Sequence, residues 1–327
     1  MFTAFSYYDP EEENRVRRDI KDSASFNAEL KIAKKFADSK ADTLTGKKKE
    51  YCPICNGVHI SLFYEKWGVD YLRCDKCYSI FADVERTILQ EYREFPDMLN
   101  HRITTEYQEK AMTNRKQIWD EVFDWLKFRT YRYLGKNKDL SVIDYGTRYH
   151  GLVQMLASSD LCKEYELRDS ILDMQNDADV KVSEADVILC LDYIQQEIEP
   201  IYYLEKIKHN LKPNGLLFLS TRVGSGFDIL TLREHNRNVF PYEHVMLPSK
   251  EGLKIMLEAA GFELLEITTP GSFDWNYVKS NRNYVSTKDY FLQYFMDTAT
   301  PNMEAEFQRF LQQSGMSSYA QVVARLL

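Results

Sequence analysis

Two cysteine pairs, Cys52 and Cys55 then Cys74 and Cys77, stand in the stretch YCPICNGVHISLFYEKWGVDYLRCDKCYSIF. Two C-x-x-C units about 18 residues apart match the spacing at which four thiolates close a tetrahedral zinc site. A four-cysteine site has no open position for water or substrate. Its metal therefore holds a ribbon together and does no chemistry. A redox or disulfide role is the alternative, and His59, inside the ribbon, is a further candidate ligand whose bland reading is an ordinary strand or turn residue. The other two cysteines, Cys162 and Cys190, show no pairing pattern and read as buried thiols.

The N-terminal run MFTAFSYYDPEEENRVRRD is polar and charged, so no secretory signal is expected, and no stretch reaches the length of a membrane span. The expected setting is a reducing cytoplasm, in which thiols bind metal instead of pairing. A chain of 327 residues has room for more than one domain with its own core. Its net charge of -8 argues against a nucleic-acid partner, because phosphate backbones are held by clustered Lys and Arg.

Residues 1–49 read as a polar, helical N-terminal extension, solvated and partly mobile, and residues 50–82 as the ribbon. Residues 83–139 form a helical linker or substrate segment rich in aromatics, with Ile118, Val122 and Trp125 on one helix face, a spacing that points to core packing. From residue 140 the texture changes. SVIDYG, YELRDS, ADVILCL, LLFLSTR and ELLEITT read as strands, separated by helical patterns such as IYYLEKIKHNL and LPSKEGLKIMLEAAGF. Strands alternating with helices predict an α/β fold, a doubly wound, Rossmann-like parallel sheet over residues 140–270 with ligand at the carboxyl ends of its strands. Residues 271–327 are expected to form a C-terminal helical extension.

VIDYGTRYHGLVQML resembles the first motif of class I S-adenosylmethionine-dependent methyltransferases, hhDhGxGxG. ADVILCLDYIQQEIEP followed by LEKIKHNLKPNGLLFLST is similar to that superfamily's fourth strand, helix and fifth strand. The ribbon ahead of this domain, with PYEHVMLPSKEGLKIMLEAAGFE, TTPGSFDW and FQRFLQQSGMSSYAQVVAR, resembles the branch that methylates sugars in surface-polysaccharide or deoxysugar biosynthesis. The resemblance implies S-adenosylmethionine as methyl donor, a structural zinc, and a sugar, nucleotide-sugar or glycan acceptor.

Carried onto this chain, the first motif implies cofactor binding by Asp144, Gly146 and Gly151, with Cys190 on the fourth strand near the same site. Asp169 falls where an acid should hold the ribose hydroxyls. The chain departs from the pattern at two glycine positions, occupied by Arg148 and His150, and at Gln195 and Gln196, where many relatives have Glu-His. Only 16 residues separate Asp169 from Asp186, short for a third strand and an adenine-contacting loop. Two outcomes follow from these departures. Either the pocket is remodelled, with Arg148 forking onto the methionine carboxylate, or the fold is kept as a non-catalytic scaffold or regulatory subunit. On the acceptor side the E-H pair of FPYEHVM implies His244 as general base, with Glu243 and Tyr242 orienting the ring or the sugar hydroxyls. His235 and Arg237 are weaker candidates for the phosphates of a nucleotide-linked sugar, with a solvated charged loop as the bland reading.

Overall fold

The computed structural model describes residues 24–40, 49–104, 116–136, 139–145, 150–168 and 184–327. In chain order the elements are helix α1 (Ala24–Lys40); strands β1 (Ile60–Lys66), β2 (Val69–Cys74) and β3 (Ile80–Ala82); helices α2 (Arg86–Arg93), α3 (Pro96–Ile103) and α4 (Lys116–Leu134). Then come β4 (Leu140–Tyr145), α5 (His150–Ala157), β5 (Cys162–Arg168), β6 (Ala185–Leu191), α6 (Pro200–Lys208), β7 (Leu211–Arg222) and α7 (Phe227–Leu232). The chain finishes through β8 (Met246–Leu247), α8 (Lys250–Ala259), β9 (Phe262–Thr268), α9 (Asp274–Ser280), α10 (Tyr290–Thr298), α11 (Pro301–Ser314) and β10 (Tyr319–Leu326).

The larger sheet has the order β5-β4-β6-β7-β10-β9, and β5, β4, β6 and β7 run parallel. Their continuous apolar runs follow from burial on both faces. Alternate residues serve opposite sides: Val187, Leu189, Leu216 and Phe218 pack with Trp119, Val122, Trp125 and Leu126 of α4 and with Leu152 and Leu156 of α5. Ile188, Cys190, Leu217 and Leu219 pack with Tyr203, Leu204 and Ile207 of α6 and with Leu253, Met256 and Leu257 of α8. This is the doubly wound sheet that the alternation of elements predicts, and among the described residues β5 is its edge.

Two expectations about the flanks are corrected. The C-terminal segment is not all helical, because its last strand, β10, inserts antiparallel between β7 and β9, pairing Val322 with Leu219 and with Ile267. Val322, Val323 and Ala324 are wholly buried there, so the sheet's hydrophobic interior is incomplete without the chain's end. Nor is α1 merely solvated: Ala33, Phe36 and Ala37, at i, i+3 and i+4, form a buried stripe. That stripe packs in a second core with Tyr71 and Ile80 of the ribbon, Tyr92 of α2, and Phe240 and Tyr242. No helix among the described residues is long and apolar enough to cross a membrane.

Candidate active site and metal centre

Each C-x-x-C closes the same turn. The backbone N–H of Asn56 donates to the Cys52 carbonyl at 3.0 Å, and that of Tyr78 to the Cys74 carbonyl at 2.9 Å, with both Asn56 and Tyr78 in the left-handed region (φ 52° and 60°). The β1–β2 hairpin brings the two turns face to face. The four sulfurs lie within 4.8 Å of one another, with Cys52 and Cys77 3.6 Å apart and Cys55 and Cys74 3.5 Å apart. A tetrahedral ion with metal–sulfur bonds of about 2.3 Å separates its sulfurs by about 3.8 Å. The donor set therefore fits a four-coordinate metal. The hydrogen bond shared with Cys52 and then, against burial, Ser79 favour a thiolate at Cys77, and the same bond raises Cys52. His59 stands outside the cluster; it is exposed, and its carbonyl accepts the Asp75 N–H.

The cofactor side is set by the sheet's crossover. The chain leaves β4 for β5 on one side and returns to β6 on the other, opening a crevice at the carboxyl ends of β4 and β6, where α/β sheets bind ligands. Asp144, one residue from the end of β4, is buried and accepts the Tyr165 hydroxyl of β5 at 2.6 Å. Burial pushes its carboxyl up to about 6, against the Tyr165 bond, which lowers it. Asp192 follows β6 in a left-handed conformation (φ 54°), with its N–H on the Ser220 carbonyl at 2.9 Å and its carboxylate accepting the Ser220 hydroxyl at 3.1 Å. Two carboxylates at neighbouring strand ends are acceptors suited to a ligand that presents an ammonium group and ribose hydroxyls, so the described residues fit S-adenosylmethionine. Gly146, Arg148 and Asp169 lie outside the described residues, and Gly151 falls within α5.

Other sequence candidates are placed differently from expectation. Cys190 is wholly buried between β6 and α6, where burial raises its thiol; it is a core residue and not part of the strand-end crevice. Gln195 faces β7, its amide oxygen accepting the Arg222 N–H at 3.0 Å, so it braces the fold instead of walling the cofactor. Sequence reasoning passed over Arg168 and Asp192. Arg168 is a buried cation at the end of β5, forked onto Glu166 at 2.7 and 3.0 Å and reaching the Tyr145 hydroxyl at 3.3 Å; its signal was a charge ending the strand YELR.

The FPYEH segment folds back on itself, with the Glu243 and His244 N–H groups both donating to the Phe240 carbonyl at 3.2 and 3.0 Å. Glu243 and His244 are buried, while Tyr242 packs its ring 4.9 Å from Phe36 and 5.0 Å from Tyr92 and serves the second core. The His244 ring meets Phe240 edge-on at 5.1 Å, and its Nδ1 accepts the Phe240 N–H at 3.4 Å. That bond assigns the neutral ring's proton to Nε2. The next residues, β8, pair with β3 of the ribbon and pack against the turn Ile194–Gln196 that follows β6. The His235 ring stacks on Tyr284 at 4.4 Å, and Arg237 bonds the Asn27 side chain of α1.

Residues 115–267 match a family model described as a methyltransferase domain. No curated protein matches the chain significantly. Among solved structures, the chain is similar to the plantazolicin methyltransferase BamL in complex with a triazolic desmethylPZN analog and SAH, with 13% identity over 73% of this chain and 94% of that one and a TM-score of 0.42. It is also similar to an S-adenosylmethionine-dependent methyltransferase from Mesorhizobium loti (13% identity, 63% and 99% covered, TM-score 0.36). A third is the N-methyltransferase NodS from Bradyrhizobium japonicum WM9 (9% identity, 65% and 98% covered, TM-score 0.36). Likenesses this distant say nothing about substrate. The family match falls on the doubly wound sheet with its strand-end carboxylates, and residues 115–267 of this chain resemble a methyltransferase domain.

Proposed function

We propose that this domain transfers a methyl group from S-adenosylmethionine to a sugar or glycan intermediate, with zinc in the four-cysteine ribbon as a structural ion. One observation supports the acceptor side above the others: β8, two residues after His244, packs on the turn that follows β6, which favours a place for the Glu243–His244 segment beside the cofactor. When bound, S-adenosylmethionine supplies an electrophilic methyl on a good leaving group. The protein's work is then to position the acceptor and to manage its proton. Asp144 and Asp192 hold the cofactor's donors. In this reading His244 orients an acceptor oxygen through its Nε2 proton, and Glu243, buried beside it, takes the hydroxyl proton. The sugar assignment rests on the ribbon and the PYEHVM segment, which resemble the sugar-methylating branch.

A calorimetric titration with S-adenosylmethionine and S-adenosylhomocysteine tests the reading, followed by methyl transfer to a panel of nucleotide-linked sugars. Saturable binding of both, with product on at least one sugar, is the expected result. A flat titration across a millimolar range overturns it and leaves the chain as a scaffold that keeps the fold. Binding with methylation of amines only would remove the sugar assignment and retain the transferase.

A further inference from the structure

The segment from Asn236 to Ser249, which carries Glu243 and His244, is held by the ribbon from end to end. At its start, the buried Lys66 of β1 donates Nζ to the Asn236 carbonyl at 2.6 Å. In its middle, the Tyr71 hydroxyl donates to the His244 carbonyl at 2.9 Å and the Ala82 N–H to the Val245 carbonyl at 2.8 Å. At its end the contact reaches the metal knuckle itself. The Ser249 hydroxyl donates to the Cys77 carbonyl, and the Ser249 N–H donates to the Ser79 hydroxyl at 3.0 Å. That same Ser79 hydroxyl lies 3.3 Å from the Cys77 sulfur.

Ser249 has a second task. It is the N-cap of α8, accepting the Gly252 N–H at 2.8 Å, and it is wholly buried. The approach is close enough to demand glycine at residue 252, where an added Cβ would stand 2.2 Å from the Ser79 hydroxyl and 3.3 Å from that of Ser249. Cys52, Ile54, Cys74 and Cys77 share one core with Leu253, Met256 and Leu257 of α8. The knuckle, the cap of a domain helix and the end of the His244 segment are therefore one hydrogen-bonded unit. The cap uses a lone pair of the Ser249 hydroxyl, and its proton goes to the Cys77 carbonyl, so one side chain serves both the helix and the knuckle.

We propose that Ser249 is a positioning residue that couples metal occupancy of the four-cysteine knuckle to the conformation of the Asn236–Ser249 segment, so that losing the metal loosens the acceptor wall while the cofactor crevice stays formed. The knuckle backbone around Cys77 is fixed only while its thiolate is tied to an ion. Freed, it no longer presents the Cys77 carbonyl and Ser79 hydroxyl in the geometry that Ser249 needs. Coupling of this kind is reciprocal. Weakening Ser249 must then lower metal affinity as much as losing metal loosens Ser249.

The test uses the 327-residue chain, with zinc as the probe and no activity measurement. Zinc affinity is measured by competition with a chromophoric chelator, and amide hydrogen exchange is followed with and without zinc. On stripping zinc, exchange in residues 245–253 should rise at least about tenfold while residues 185–191 and 216–222 keep their protection. Ser249→Ala should weaken zinc binding by roughly tenfold, the effect of about 1.4 kcal/mol, and Ser249→Thr, which restores the hydroxyl, should recover most of it. Gly252→Ala, which touches no ligand, should weaken zinc in the same direction. Unchanged exchange at 245–253 on zinc removal, unchanged zinc affinity in folded Ser249→Ala, or a wild type that binds no zinc each overturns the proposal. None of these outcomes depends on whether the domain methylates a sugar, and a flat cofactor titration leaves the metal measurement intact.

Discussion

Tyr165 hands its hydroxyl to the Asp144 carboxylate across neighbouring parallel strands, 2.6 Å apart, where β5 lies beside the end of β4. The bond offsets only part of the cost of burying the acid, whose carboxyl stays raised to about 6 from an ordinary 3.8. A raised carboxyl binds its proton more tightly in the folded chain than in the unfolded one. Stability contributed by this group is therefore greatest below about pH 4 and is lost as pH rises through about 6.

Asp144→Asn keeps an acceptor for Tyr165 and removes the charge. In thermal or urea unfolding, the variant should match wild type near pH 4 and exceed it at pH 7 by an amount on the order of 2 kcal/mol. The same variant should bind S-adenosylmethionine at least about tenfold more weakly, since the carboxylate is an acceptor for the cofactor's donors. A variant less stable than wild type at pH 7 would show that the acid is not strained by burial.

For the ribbon, elemental analysis should return one zinc per chain. Replacing any one of Cys52, Cys55, Cys74 or Cys77 by Ser should lose the metal, because three thiolates do not close the site. Cobalt substitution of wild type should give the absorption of a tetrahedral tetrathiolate centre. An equally stable, metal-free wild type would refute the site.

Asp274 ties the C-terminal strand into the sheet. Its Oδ1 accepts the Ser318 N–H at 2.8 Å, and its Oδ2 accepts the Ser317 hydroxyl at 2.6 Å and the Gln308 side chain at 2.9 Å. Asp274→Ala should cost on the order of 3 kcal/mol, because it orphans donors in a buried setting. Hydrogen exchange should rise first along residues 319–326 and along their partners in β7 and β9, and a loss confined to α9 would contradict this role.

The importance of that strand was hidden in the sequence. YAQVVARL is short, mixes polar with apolar residues and follows a strong helix, while its partners in β7 lie about a hundred residues earlier, so no local pattern announces the pairing. By contrast VILCL and LLFL were legible as strands, since burial on both faces demands an unbroken apolar run. The metal ligands were legible for a different reason: four thiols at fixed spacing are a chemical signal that needs no tertiary context. The stripe of α1 was missed because two of its three buried residues are alanines, which weigh little in an apolar pattern. His244 was legible as a residue but not in its protonation, since the partner of Nδ1 is a backbone N–H that only the turned-back FPYEH segment brings into reach.

That partner sets how substitutions of His244 should behave. With Nδ1 accepting from Phe240, the neutral ring of His244 carries its proton on Nε2, and in the proposed reading that N–H meets the acceptor. A glutamine carboxamide offers the same pair, its oxygen for the Phe240 N–H and its NH₂ for the substrate. His244→Ala should therefore reduce kcat by about 100-fold or more, while His244→Gln should stay within about tenfold of wild type, and neither should shift cofactor affinity measured by calorimetry. Glu243→Gln, which cannot take a proton, should fall as far as His244→Ala. If His244→Gln is as inactive as His244→Ala and Glu243→Gln is nearly normal, the imidazole itself is the base. The ring must then give up the Phe240 contact, or exchange its tautomer, before it can act.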